Sequence, residues 1–559
     1  MMKLNYKRTF YIGLIFFIIS LFWQTYDMLI ARTLIDKYGL NQTWSGIVMA
    51  ADNIMAVILL PLFGALSDKS NAKLGRRTPY IIVGTVLSAF AFMALAYTDY
   101  VQTLKIQATD IIENHYDVAF ADDIDDSERS HWYIVINNME EERDLAYDLG
   151  MISGKKLTLW EESIRDPMLT ILAANGEYLN NRDLSSIKDF YYKYLSDRAW
   201  EVTSNDPSNL IIFSGILFIA LVSMAIFRSP AVALMPDITV KPLRSKANAI
   251  ITFMGAFGGI MAVYVIMVSG LNKHAYDHHA AVYIIIGIMM LIVLGIFLWK
   301  VDEPKWVKDK LDLDKKYELT TDESTLQKQT LKTMTYERRI SLYFMLASVF
   351  LLFMGYNAVM SKIADYLPKV LNLNFFDYQF IVAQGVVIAS ILPIGILSMI
   401  LGRKRTIQIG MILMFIAMAS GVNLNEGQPW LTAGIIALAG LGWTMIGINT
   451  YVMVVELSRG YDVGRYTGYY YAASMSAQIV TPILSGYLMD GYGRLILFPY
   501  AAFFVALSFV TMIFVKKGEI KFKGSWKDAL KEVWSYENIH YRTFKFRKIN
   551  LCQKVSTGL

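Results

Sequence analysis

Apolar stretches recur along the chain near residues 10-35, 43-67, 79-98, 209-235, 249-271, 281-300, 340-367, 376-401, 406-423, 429-457, 466-489 and 495-515. At about 1.5 Å of rise per helical residue, each is long enough to cross about 30 Å of hydrocarbon. The pattern predicts an all-α polytopic membrane protein of 12 transmembrane helices. Its weakest boundaries are Gly402, where two stretches almost touch, and Lys362, where the seventh turns polar.

Twelve spans place both termini on one side, and the basic residues of the short loops say which. Loops 68-79, 237-248, 402-406 and 456-466 together hold twelve Lys or Arg, whereas the five opposite short loops hold six. The first set is therefore cytoplasmic, with both termini, the central loop 301-339 and the basic tail 517-559. Residues 99-207 break the alternation. They carry 23 Asp or Glu against 10 Lys or Arg and fall on the outer face between the third and fourth spans. Apolar runs such as Trp132 to Ile136 and Phe190 to Leu195 point to a small folded extracellular insert rather than a disordered acidic linker. The aspartates of Asp122 to Asp126 lack the spacing of a calcium loop, so they read as solvated surface.

Composition supports the membrane class: 55% hydrophobic and 18% charged residues over 559 positions is too apolar for a string of soluble domains. The single cysteine, Cys552, and six histidines provide neither a disulfide framework nor a metal site. No Walker loop or H-E-x-x-H is present, so no cofactor, metal or catalytic residue is expected, and the driving energy must come from an ion or substrate gradient. Flanked by membrane spans, the basic residues of GALSDKSNAKLGRRTPY (Gly64 to Tyr80) mark the cytoplasmic face rather than a nucleic-acid site. The first apolar run, behind Lys3, Lys7 and Arg8, has no small-residue cleavage site after it and reads as an uncleaved span. Asn41 to Thr43 forms a sequon on an outer loop, and the tail around Trp526 and Trp534 has the make-up of an amphipathic surface helix.

An internal repeat underlies the helices. Thr25-Tyr26-Asp27 is echoed by Gly355-Tyr356-Asn357 at an offset of 330, and Gly64 to Ser67 by Gly395 to Ser398 at 331. Past the acidic segment the offsets fall: Asp237 pairs with Glu456 at 219 and Arg244 with Arg465 at 221. The drop matches the 109 residues of 99-207. Two six-helix halves in parallel repeat, with an insertion only in the first, account for both offsets. That is the major facilitator architecture, with substrate held near the midplane between halves that rock.

The motifs agree. Leu62 to Gly84, LFGALSDKSNAKLGRRTPYIIVG, resembles the loop between helices two and three of major facilitator transporters. Phe227 to Gly259 resembles the helix four/five hairpin of the sucrose/proton symporter-like branch, related to the glycoside-pentoside-hexuronide cation symporters. The resemblance covers the twelve spans and not the insert. It implies a cytoplasmic gate in which Asp68, Arg76 and Arg77 act, with Asp237/Arg244 and Glu456/Arg465 as the same device repeated. Positive-inside anchoring is the competing reading. The paired carboxylates of melibiose-type sodium sites are missing, since Ala56 and Leu60 stand at those spacings, which favours H+ over Na+ as coupling ion. In the second half Met399 replaces the motif's aspartate.

Ionisable groups deep in a span are functional hypotheses by default. Asp27 and Asp52 fall at similar depth in the outer half and are the proton-coupling candidates. Asp52 reads equally well as a structural carboxylate. Asp27 is favoured because its repeat partner Asn357 keeps hydrogen-bonding capacity without charge. Arg228 could clamp sugar hydroxyls or neutralise an emptied carboxylate, with a structural ion pair as the alternative. Tyr356, Asn357, Gln384, Trp443, Asn449, Tyr470 and Gln478 complete a substrate-binding inventory of polar and aromatic groups suited to a sugar. Any one of them alone could equally be helix packing.

The expected organisation is helices 1-3 in 1-98, the acidic extracellular insert in 99-207, helices 4-6 in 208-300, and helices 7-12 in 340-516. The expected function is secondary active transport in the cell membrane: proton-coupled symport of a sugar or glycoside, by alternating access, with lipid bilayer and small-molecule substrate as partners. A proton-driven exporter of drugs or metabolites, and a transporter-like sensor using the ectodomain, are the alternatives.

Overall fold

The computed structural model describes residues 4–109, 119, 127–240, 243–269, 278–316, 336–373, 378–456 and 463–516. Among these the regular structure is helical, with one isolated bridge between Glu128 and Tyr178. In chain order the helices are α1 (Tyr6–Arg32), α2 (Gln42–Asp68), α3 (Thr78–Gln107), α4 (Arg129–Asp148), α5 (Gly154–Trp160), α6 (Asp166–Ala174), α7 (Asn181–Asn205), α8 (Ser208–Ile238), α9 (Arg244–Val268), α10 (Ala280–Lys300) and α11 (Glu303–Lys316). They continue with α12 (Tyr336–Leu371), α13 (Tyr378–Leu401), α14 (Arg403–Gly421), α15 (Pro429–Glu456), α16 (Val463–Tyr492) and α17 (Leu497–Ile513).

A helix lies over each of the twelve apolar stretches. Among the described residues nine of these helices are long and apolar enough to cross a membrane. The other three are α13, α14 and α16. α14 opens on Arg403, Lys404 and Arg405, and α16 carries a tyrosine-rich polar run from Tyr466 to Tyr471, which lowers the hydropathy of each.

Packing repeats along the chain. Before residue 300, α1 packs on α9 and α10, α3 on α8 and α10, and α2 on α8. After residue 336, α12 packs on α16 and α17, α14 on α15 and α17, and α13 on α15. The two helix groups therefore have the same neighbour scheme. They meet mainly where α2 lies on α16, with further contact of α1 on α12 and of α9 on α13.

The α2–α16 contact is close because glycines permit it. A Cβ on Gly46 would stand 2.1 Å from the Pro482 carbonyl oxygen, and one on Gly486 would stand 2.3 Å from that of Gln42. Backbone-to-backbone approach of this kind is the usual route to tight helix crossings in lipid.

Three elements lie outside the predicted pattern. A π-helical turn, Thr33–Lys37, extends α1 and carries Asp36 and Lys37 into the protein. α3 runs through Asp99 to Gln107 instead of stopping near residue 98. The acid does not end the helix because it is satisfied: Lys37 Nζ donates to Asp99 at 2.7 Å and the His279 backbone N–H at 2.5 Å. Finally, the segment expected as a central loop begins with helix α11. Asp302 starts it, accepting from the Lys305 N–H at 3.1 Å.

The acidic segment has a core of its own. Trp132, Ile136 and Met139 of α4, Met168 and Leu172 of α6, and Ile187, Tyr191 and Leu195 of α7 form one buried cluster, separate from that of the long helices. Burial of this many large side chains makes the segment a folded unit despite its charge. The aspartates of Asp122 to Asp126 lie outside the described residues.

Candidate functional site: charged and aromatic side chains where the helix groups face, and two polar junctions

Asp27 and Asp52, predicted from depth alone, lie within electrostatic reach of each other. Asp27 is exposed to water on α1. Asp52 is half-buried and accepts from Asn53 Nδ2 at 2.6 Å. Beside it lies a small pocket bounded by Trp23, Asp52, Leu60, Met224 and Arg228, all of the first helix group. The Arg228 guanidinium stands over the Trp23 ring, 5.6 Å from its centroid. Ala56 and Leu60 line the same pocket, so it holds one carboxylate where two would suit a bare cation.

The second helix group faces these charges with aromatic rings. Tyr356 of α12 and Trp443 of α15 stack with centroids 3.9 Å apart and planes 4° from parallel, and Phe353 meets the same indole edge-on at 5.1 Å. Tyr356 lies within electrostatic reach of Asp27, and Tyr471 of α16 within reach of Arg228. Next to Tyr356, Asn357 Nδ2 is buried and has no hydrogen-bond partner among the described residues. A buried amide donor left open is costly, about 1–3 kcal/mol, and is satisfied when a ligand supplies an oxygen.

Other predicted residues take different places. Asn449 is buried and donates to the Met445 carbonyl of its own helix at 2.8 Å, so its amide is already used. Gln478 donates along its helix to Ser474 at 3.3 Å. Tyr470 packs its ring against Tyr451 and Tyr471, and Gln384 is exposed on α13.

At the basic end, Arg77 is nearly fully buried and gathers several helix ends. It donates to Asp237 at 2.9 Å, to Ser67 Oγ at 2.5 Å, and to Asp68, while Arg76 pairs with Asp237 at 2.8 Å. Glu303, the first residue of α11, completes the set. Its carboxylate accepts from the Arg77 and Thr78 backbone N–H groups at 3.0 and 2.8 Å and from Thr78 Oγ1 at 2.8 Å, capping α3 with a negative charge. Gly75, at φ 105°, leaves room for that carboxylate: a Cβ there would stand 2.3 Å from it. These partners all belong to α2, α3, α8 and α11, within the first helix group. The side chains of Arg244, Met399, Glu456 and Arg465 lie outside the described residues.

The opposite end holds a polar junction that the sequence reading did not assign. Lys369 of α12 pairs with Asp36 of the π turn and, at 2.6 Å, with Asp365. Asp365 also accepts from Arg494 at 2.8 Å and from Gln42 Nε2 at 2.8 Å. Lys362 donates to both the carbonyl and side-chain oxygens of Gln42, at 3.0 and 2.9 Å. Asp490, near the end of α16, accepts from the Gln42 and Thr43 N–H groups that open α2, at 2.8 and 2.9 Å. Nearby, burial and the Lys37 and Arg32 cations hold the His279 imidazole well below its ordinary range, so it is neutral and Lys37 alone balances Asp99.

Long apolar helices in two similarly packed groups, nine of them among the described residues long and apolar enough to cross a membrane, define a polytopic membrane protein. The Major Facilitator Superfamily model matches residues 345–548 and the MFS/sugar transport protein model matches residues 11–106. Both models describe major facilitator superfamily transporters, and they match parts of both helix groups, so the chain is similar to that superfamily in each group. It is 29% identical over 59 residues to the general alpha-glucoside permease of Schizosaccharomyces pombe, a match spanning 11% of this chain and 11% of that permease. In fold it is similar to the inward open conformation of the xylose transporter XylE from E. coli, at 14% identity over 94% of this chain and 98% of that one, with a TM-score of 0.54. It is likewise similar to the nucleoside transporter NupG, at 12% identity over 91% of this chain and all of that one, with a TM-score of 0.51.

Proposed function

We propose that the chain is a proton-coupled symporter of a sugar or glycoside. It works by alternating access between two six-helix halves, with both termini cytoplasmic and the acidic segment outside. The observation that carries this reading is the set of side chains where the helix groups face each other: Asp27, Asp52 and Arg228 on the first, and the stacked Tyr356/Trp443 pair with the buried Asn357 amide on the second. Flat aromatic faces suit the C–H surfaces of a sugar, and the guanidinium and the amide suit its oxygens. Two acids beside one guanidinium leave the first group's side one negative charge in excess, which a single proton removes. Ala56 and Leu60 in the pocket favour a proton over a sodium ion. Similarity to an alpha-glucoside permease supports the substrate class.

In this cycle a proton from outside neutralises Asp27, the sugar binds between the facing helix groups, and the halves rock to release both inward. Asp27→Asn in proteoliposomes is the test. Accumulation of sugar against its gradient under an imposed pH difference is expected to vanish, while sugar-for-sugar exchange persists. Undiminished proton-driven accumulation in that variant would overturn the assignment.

A further inference from the structure

Helix α7 of the acidic segment touches both helix groups at the end where α2 meets α16. Toward the first group, Ser196 Oγ donates to the Ile35 carbonyl at 3.1 Å, and Thr203 Oγ1 accepts from Gln102 at 3.1 Å. Gly39, at φ 71°, lies so near this helix that a Cβ would stand 2.2 Å from the Trp200 backbone nitrogen. Toward the second group, Lys188 pairs with Glu426 at 2.6 Å. Asp189 accepts from both the backbone N–H and the guanidinium of Arg494, each at 2.6 Å. The Tyr192 ring has Lys369 5.2 Å and Arg494 5.7 Å from its centroid, so α7 also packs on the two cations that hold Asp365.

The two attachments differ in kind. On the first group α7 is joined through backbone contact and chain continuity into α8, which starts three residues after α7 ends. On the second it is held by two largely buried ion pairs, a ring contact and packing on α12. Chain continuity keeps α7 with the first group through any rearrangement, whereas no covalent link ties it to the second. The seam that can part therefore lies between α7 and the second group.

We propose that α7 is an external latch that spans the two halves and holds the outer side closed, releasing the second half through Lys188–Glu426 and Asp189–Arg494 when the outer side opens. The latch rests on the alternating-access reading above. It gives the insert a function that neither repeat half can supply, since only the first half carries the insertion.

The test uses the full-length protein in proteoliposomes with Cys552→Ser and a reporter, Ser485→Cys, buried at the outer end of α16 between Pro482 and Gly486. The rate of labelling by a membrane-impermeant maleimide reads how often the outer side opens. Lys188→Glu, which sets two carboxylates together, is expected to raise that rate at least about tenfold, since a largely buried ion pair is lost from the closed state. Adding Glu426→Lys restores the pair in reverse and is expected to return the rate toward the parent's. Asp189→Asn is expected to raise it as well. Labelling unchanged in both single variants, or raised by Lys188→Glu and not lowered by the swap, would overturn the latch. If no sugar is transported but labelling follows the charge swap, the latch stands and the substrate reading falls.

Discussion

Gly46 offers the sharpest quantitative handle on the α2–α16 junction, the closed outer side in the proposed orientation. A methyl group added there would begin 2.1 Å from the Pro482 carbonyl oxygen and 2.6 Å from its carbon, both backbone atoms that cannot rotate away. Carbon-to-oxygen contacts settle at about 3.3 Å or more, so Gly46→Ala forces α2 and α16 apart by about 1 Å. Overpacking of this size costs about 1–3 kcal/mol. The cost falls only on the state in which the two helices touch. With tenfold per 1.4 kcal/mol, the outward-open population should grow by about 5- to 100-fold. Maleimide labelling of Ser485→Cys in the Cys552→Ser background measures it as an initial rate. Gly215→Ala on α8, where a Cβ would meet no atom within 4 Å, is the matched control and should label at the parent rate. Labelling of Gly46→Ala at the parent rate would refute the claim that this crossing holds the outer side shut.

Two further outcomes follow from the basic end and from the facing side chains. Glu303→Gln keeps an acceptor for the start of α3 but removes its charge, so thermal unfolding in detergent should show a loss of about 1–2 kcal/mol, with the reporter labelling rate unchanged. An unaltered melting temperature would mean that α11 contributes nothing to the first group. Trp443→Ala removes the ring that stacks on Tyr356, and the KM for sugar uptake should rise about tenfold, the scale of one aromatic contact of about 1.5 kcal/mol. A KM within twofold of the parent would take the pair out of the binding site.

Much of the fold was legible because its signals are local. Each span announces itself through its own run of apolar residues, and the drop in the repeat offsets falls at the segment that holds a separate buried cluster. Asp27 and Asp52 were legible for a related reason, since depth in a helix follows from counting residues. The polar junctions were not, because their partners are remote: Glu303 meets Thr78 across 225 residues and Lys369 meets Asp36 across 333. Signals for both existed. Asp302 before Glu303 and Pro304 is a helix-start pattern in what reads as a loop. Lys362, Asp365 and Lys369, spaced three and four apart within a span, put three ionisable groups on one face where lipid would not tolerate them. Asn449 illustrates the opposite difficulty, a polar side chain that bonds to the preceding turn of its own helix and is then unavailable to any ligand.

The junction of Lys369, Asp36, Asp365, Gln42 and Asp490 has a consequence for heat as well as for access. Exposing polar surface lowers heat capacity, whereas exposing apolar surface raises it by more per unit area. A seam of ions and capped helix ends therefore parts with little of the strong temperature dependence that separating two greasy faces would bring. Its constituents find water as they separate, so the two orientations of the carrier can remain close in free energy when the membrane warms or cools. In the proposed alternating-access cycle, a polar seam would let the carrier keep switching across a range of temperatures.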